Sequence, residues 1–270
     1  MLEPKTVRIM LLVALVLYVS TIFLGQAIYT DPGYVKTAPQ LPALSGVREA
    51  GTVAIMAMMG GFRNIAANML WLKSDQYWHA GGSGWWKMRP VLETITQLDP
   101  HFIDAWDTLG WHLAWNLQAS ETIPERKPLW VQAGIDAYKR GISMNPDKYD
   151  LYASLAWIYH DKLRDYEKAS PVWKKVWSFK DAPVAQGHMM AHAYERLWRI
   201  DEAVQVWKEC VERRPDDMVA RNAIKWWKEH KNDKAHLVAL WQRENVLRKQ
   251  AGLPPMPRPD QMKAGEAPAS

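Results

Sequence analysis

The sequence predicts an all-α protein, an N-terminal transmembrane helix followed by an array of paired helices, and three observations carry that reading. Residues 9–28, IMLLVALVLYVSTIFLGQAI, run for twenty positions without a charge, the length a helix needs to cross the hydrocarbon core of a bilayer. Residues 184–215 read as two helices packed back to back. Met190, Ala191 and Tyr194 share one helical face, a break follows near Arg199 to Asp201, Ala203, Trp207 and Cys210 share the next face, and Pro215 closes the stretch. Similar stretches upstream close on Pro100, Pro146 and Pro183.

The composition sets limits on function. With 270 residues, 48% hydrophobic and 23% charged, the chain can bury a sizeable core. Sixteen Trp against four Phe point to indoles packed between helices. A net charge of +5 is too small to argue for nucleic acid, which calls for a basic stripe with interleaved aromatics, so no nucleic-acid partner is expected. Cys210 is the single cysteine, which excludes an internal disulfide framework and reads as a small core residue.

Taken in order, residues 1–8 carry Lys5 and Arg8 just before the apolar run, and the next basic residue is Lys36. The positive-inside rule then puts the N-terminus in the cytoplasm and the rest of the chain outside. A cleaved secretory signal is the competing reading, because Gly25 and Ala27 form a small-x-small pair, but the apolar run exceeds the usual signal core. Residues 29–48 hold Pro32, Pro39, Pro42, Gly33 and Gly46, the composition of a short stiff spacer. The run from Thr52 to Gly61 is too short to span and is expected to pack on the helices that follow, with membrane-surface contact as the alternative.

The helical domain is expected over 49–250. A helix from Phe62 to Ala80 ends at GGSG, residues 81–84, and a second runs to Asp99-Pro100, giving a degenerate first repeat near 69–102. Residues 103–148 form the next, with Trp106, Leu109 and Gly110 at W-x2-L-G spacing. An insertion containing SETIPERKP, in which Pro124 and Pro128 should break any helix, separates its halves before Gly134, Tyr138, Gly141 and Pro146. A third covers 149–183, with Pro183 late against the pattern, and a fourth 184–217. A basic pair of helices over 218–250 reads as a solubilising cap, and the proline-rich tail 251–270 as disordered.

The spacing of small residues, large neighbours and closing prolines resembles the tetratricopeptide repeat, a 34-residue helix pair with small residues at its eighth and twentieth positions. Ala191, Tyr194, Ala203, Trp207 and Pro215 fall in that register from Val184. The resemblance implies a right-handed α-solenoid with a concave groove lined by first helices. Carried over by register, the partner-binding groove residues are Asp104, Asp107, Trp111 and Trp115, then Asp150, Trp157, His160 and Asp161, then His188, His192 and Glu195, with Ala114, Ala153, Ala185 and Arg196 among them and Lys73 and Tyr77 from the degenerate repeat. This surface is aromatic and mainly acidic. It lacks the Lys, Arg and Asn of the family's carboxylate clamps, so the expected ligand is an extended or helical segment with basic and apolar residues.

The implied function is a membrane-tethered scaffold or adaptor for a protein or peptide partner, with its repeat domain on the periplasmic, extracytoplasmic side of the inner membrane. Similar architectures include membrane-anchored repeat proteins of envelope assembly. Two other classes compete. His188 and His192 share a helical face with Glu195 one turn on, a spacing a metal-dependent enzyme could use, although Met189 stands where the H-E-x-x-H pattern needs Glu. The basic residues between 221 and 249 could instead meet a nucleic acid or a lipid surface. No nucleophile elbow, P-loop or dinucleotide fingerprint is present, so no catalytic residue, metal ligand or cofactor is assigned.

Overall fold

A computed structural model describes residues 62–258. The apolar segment 9–28, the spacer 29–48, the run from Thr52 to Gly61 and residues 259–270 lie outside them. Among the described residues every regular element is helical, and no helix is long and apolar enough to cross a membrane. The described residues divide into two compact units, which meet in sequence at Gly134 and Ile135.

In the N-terminal unit, α1 (Arg63–His79) packs on α2 (Gly82–Leu98), and α2 packs on α3. Helix α3 starts as Ile103–Trp111, widens into a π-helical stretch at His112–Leu117 and ends as Gln118–Ser120. Buried His112 pins the widened turn. Its Nε2 lies 2.7 Å from the Trp85 carbonyl, and its Nδ1 lies 3.2 Å from Asn116 Nδ2. A carbonyl can only accept, so the proton sits on Nε2 and the ring is neutral. Burial lowers its pKa, with Arg89 adding to the effect and the Trp85 bond opposing it.

The insertion is an ordered connector. Glu121 accepts from the Ile123 backbone at 3.1 Å and from Trp130 Nε1 at 3.0 Å, and Trp130 is fully buried, edge-on to Trp86. A 3-10 turn at Pro124–Arg126 then leads into α4 (Lys127–Met144). This corrects the expectation that Pro128 breaks a helix: it is the second residue of α4, where a missing N–H costs nothing. Gly134 brings α4 onto α3, since a Cβ there would stand 2.7 Å from the Gly110 carbonyl and 2.8 Å from Ala114 Cβ.

The C-terminal unit holds α5 (Tyr149–Trp157, continued by a π-helical stretch at Ile158–Lys162), α6 (Tyr166–Trp177), α7 (Val184–Arg196), α8 (Ile200–Arg213), α9 (Met218–His230) and α10 (Lys234–Gln250). Helices α5 to α9 each pack on the next. Ala191 and Ala203 are fully buried, and a further close approach is made at Gly187. A Cβ there would stand 2.6 Å from Cys210 Sγ and 2.8 Å from the Trp177 ring. Cys210 is fully buried, and burial pushes its thiol up to about 12, so it is a packing residue.

The closing prolines recur as acceptors. At three of them, a side chain six residues on, in the first turn of the next helix, reaches back to the proline carbonyl: Trp106 Nε1 to Pro100 at 2.9 Å, Tyr152 Oη to Pro146 at 3.5 Å, and the Arg221 guanidinium to Pro215 at 2.6 and 2.9 Å. A helix end leaves carbonyls without intrahelical donors, and these side chains supply them.

The C-terminal pair departs from the expected cap. Helix α10 folds back along the turns of earlier helix pairs, and buried Glu244 accepts from Arg164 Nη1 at 3.0 Å and Tyr166 Oη at 2.9 Å, with Arg196 Nε at 3.7 Å. Burial, then Glu244, raises Tyr166 to about 12. Arg164 takes a positive φ of 47°, a conformation usually left to glycine, and its carbonyl accepts from Arg248 at 2.7 Å. The segment 251–258 is likewise ordered, which corrects the expectation of disorder over that part of the tail. Met256 is buried beside Tyr166 and Leu197, its N–H donates to Asn245 and its carbonyl accepts from Trp241 Nε1. Apolar Met256 and the Trp241 indole outweigh the local proline content.

Candidate partner-binding site

In the N-terminal unit, α1 and α3 frame an open cleft of about 540 Å³. From α1 it takes Trp71, Leu72, Asp75 and Trp78, which at this spacing share one helical face. From α3 it takes Asp107, Thr108 and Trp111, and its floor is buried Ser74 and Met88. Trp78 is 42% exposed and Trp111 40%. Trp111 stacks on Trp115, with centroids 4.2 Å apart and planes 9° from parallel, which fixes its ring at the rim.

Of the residues carried over by register, Asp107 and Trp111 line this cleft. Trp115 supports Trp111 from behind, and Asp104 lies exposed in the first turn of α3, where a carboxylate suits the helix dipole. Lys73 and Tyr77 are not among the lining residues; their places are taken by Trp71, Asp75 and Trp78. The i, i+4, i+7 spacing of those three was readable, but the register carried onto the degenerate repeat selected Lys73 and Tyr77 instead.

In the C-terminal unit the carried-over positions are mostly enclosed by their own neighbours. Asp150 and Asp161 are exposed. Trp157 stacks on His160, 6.1 Å away and 8° from parallel, and His160 meets Tyr166 and Trp173 edge-on. Burial, aided by Arg196, His192 and Arg164, brings the His160 pKa down to about 4, so it is a neutral packing ring at pH 7.

His188 and His192 flank the Trp207 ring, each with its centroid 5.1 Å from it, and each has its own carboxylate. His188 Nε2 lies 2.6 Å from Asp217 Oδ2. Asp217 is also the cap of α9, its Oδ1 accepting from Val219 and Ala220, with Arg214 on its other oxygen. Burial works to raise this carboxyl, but its donors hold it below the usual range.

Glu195 corrects the expectation of an exposed groove residue. Its Oε1 accepts from Trp207 Nε1 at 2.8 Å and Trp227 Nε1 at 2.6 Å, and its Oε2 lies 2.8 Å from His192 Nδ1. Burial pushes its pKa up, but these three donors outweigh that and hold it low. One carboxylate therefore ties α7, α8 and α9 together. A second, shallower cleft of about 380 Å³ opens beside it, walled by His192, Arg196, Trp198, Trp226 and Leu240. Among the described residues no group of three His, Cys, Asp or Glu side chains is gathered as a metal ion would need.

Residues 188–217, from the first turns of α7 to the cap of α9, match the tetratricopeptide repeat family. Similar solved structures include a thermophilic TPR protein of Thermus thermophilus, 18% identical over 66% of this chain and 97% of that one, with a TM-score of 0.42. Another is MamA protein, 22% identical over 68% of this chain and 93% of that one, also with a TM-score of 0.42. No curated protein matches the chain.

Proposed function

We propose that this chain, a tetratricopeptide-repeat protein, is a membrane-tethered scaffold that binds a protein or peptide through aromatic and acidic surfaces on its first helices. The observation that carries the reading is the cleft between α1 and α3. Trp78 and Trp111 stand exposed at a rim that holds Asp75 and Asp107, and none of the described residues lining it is basic. Exposed indoles around a carboxylate-bearing concavity are costly to leave in water and suit an anchor residue of a partner. Asp104 lies beside it, and within the C-terminal unit Asp150, Trp157 and Asp161 on α5 form a separate surface of the same character. His160, His188 and Glu195 serve the fold that presents these surfaces.

Photo-crosslinking of the full chain in native membranes tests the site. A benzophenone side chain placed at Trp111 should capture a partner, and one placed at Lys228 on α9 should not. Adducts formed only from Lys228 would move the binding surface to the basic terminal pair.

The tether rests on the uncharged segment 9–28 with Lys5 and Arg8 before it, and it would place the repeats on the extracytoplasmic side, where envelope complexes assemble. The protein should then stay in the pellet after alkaline carbonate washing. Release into the wash, or a mature N-terminus at Ile28, would overturn the anchor.

A further inference from the structure

We infer that the cleft between α1 and α3 is an arginine subsite: it takes the guanidinium of one arginine in the partner segment, set against Trp78 and Trp111 and paired with Asp75. This deepens the proposed scaffold function and rests on it.

The lining selects the ligand class. Three indoles, Trp71, Trp78 and Trp111, and two carboxylates, Asp75 and Asp107, surround a floor of Met88 and Ser74. The floor makes no demand of its own, because Ser74 Oγ already donates to the Trp71 carbonyl at 2.7 Å. Asp75 pairs with His79 at 3.4 Å, but both side chains are about 70% exposed, at 68% and 74%, so water screens that contact and a ligand can replace it. An acidic segment would be repelled here, and a purely apolar one would strip water from carboxylates without returning a hydrogen bond.

A guanidinium answers both halves of the site. It is planar and weakly hydrated, it packs on an indole face, and it offers a fork of donors to a carboxylate, whereas an ammonium is a compact and strongly hydrated point charge. The chain builds this arrangement from its own residues elsewhere. Arg89 lies over the Trp130 ring, 5.4 Å from its centroid, while its Nε donates to Glu93 at 2.8 Å. The Arg213 guanidinium likewise sits 3.5 Å from the Trp177 centroid. In the α1–α3 cleft the indoles are present beside Asp75, whose screened contact with His79 a guanidinium can replace.

The test titrates the full-length protein, labelled with 15N at its indoles, with the peptide Ac-Ala-Leu-Arg-Leu-Ala-NH2 and with the same peptide carrying citrulline, the neutral isostere, or lysine in place of arginine. The arginine peptide should shift the Trp78 and Trp111 indole signals and bind about tenfold tighter than the citrulline peptide, with lysine between them. Trp78→Ala and Asp75→Asn, both at exposed positions, should each remove most of that preference while the Trp207 and Trp227 signals stay in place as a check of folding. Equal binding of arginine and citrulline peptides, or an unchanged preference in folded Trp78→Ala protein, would overturn the inference. The groove reading fails separately, on the crosslinking from position 111, which does not depend on the residue type the cleft accepts.

Discussion

The α1–α3 cleft and the α7–α8–α9 junction carry aromatic and acidic residues of the same types, yet they stand in opposite states. In the cleft, Trp78 and Trp111 are 42% and 40% exposed, with Asp75 and Asp107 beside them. At the junction, Trp207 and Trp227 are 0% and 4% exposed, and both indoles donate to Glu195. The difference lies in what the following helices supply. Where α8 and α9 bring indole donors to a first-helix carboxylate, a groove position becomes a structural tie. Where α1 offers its own Trp and Asp face to α3, the same chemistry is left open to a ligand. A repeat register therefore places residues, and the next helix decides whether they stay exposed or hold the fold.

The largest predicted effect would break the junction. Glu195→Ala leaves two buried indole N–H groups without their acceptor, which should cost about 3 kcal/mol or more in urea unfolding. Glu195→Gln keeps one carbonyl acceptor and should cost clearly less. Equal and small losses for the two would mean that the indoles find other acceptors.

Acid should weaken the C-terminal unit through His160. Its folded pKa of about 4 lies below the ordinary 6.5, so the unfolded chain binds a proton that the folded chain refuses. Stability is therefore at full strength above about pH 6.5 and falls as the pH drops towards 4, by on the order of 3 kcal/mol in all. His112, shifted the same way by burial, gives the N-terminal unit an acid sensitivity of its own. Thermal melts at pH 7.5 and pH 5 should show the loss, and His160→Phe, which keeps an aromatic ring against Trp157 and Tyr166, should flatten it. A variant as acid-sensitive as the parent would place the titrating group elsewhere.

Smaller effects are expected at the close helix approaches, and they sharpen the comparison because both units have one. Gly187→Ala and Gly134→Ala should each destabilise by about 1–3 kcal/mol, offset in part by the better helix propensity of alanine. Gly134 should cost more, since its Cβ meets a backbone carbonyl, whereas Gly187 faces side chains that can shift. Calorimetry that finds either substitution stabilising would contradict the packing described.

Much of the helical architecture was legible because small residues and closing prolines mark helix contacts and ends directly: Ala191 and Ala203 announce burial, and Trp106 announces a first helix. The π-helical stretches were not legible. They depend on partners such as the Trp85 carbonyl for His112, 27 residues away in sequence, which no local pattern encodes. The fold-back of α10 was hidden for the same reason, since Glu244 reads as a surface residue of a charged helix until Arg164 and Tyr166 close on it. Glu195 had the sharpest misleading signal. Its place one turn after His192 suggests a groove or a metal site, and only the arrival of Trp207 and Trp227 makes it a half-buried structural tie. In the cleft, Asp107 and Trp111 came from the register, while Trp71, Asp75 and Trp78 needed the structure to put them opposite.

The most direct test compares the two regions in one experiment: the amount of partner crosslinked per folded molecule by the full chain carrying Trp78→Ala with Trp111→Ala, and by the full chain carrying Glu195→Gln. The double cleft variant gives up the Trp111–Trp115 stack and the buried part of both rings, a loss of about 2–4 kcal/mol, and, wherever it remains folded, should lose most of its partner. The Glu195→Gln protein should lose stability and, wherever it remains folded, keep its partner. A folded cleft variant that retains the partner while folded Glu195→Gln releases it would reverse the assignment of binding and holding between the two regions.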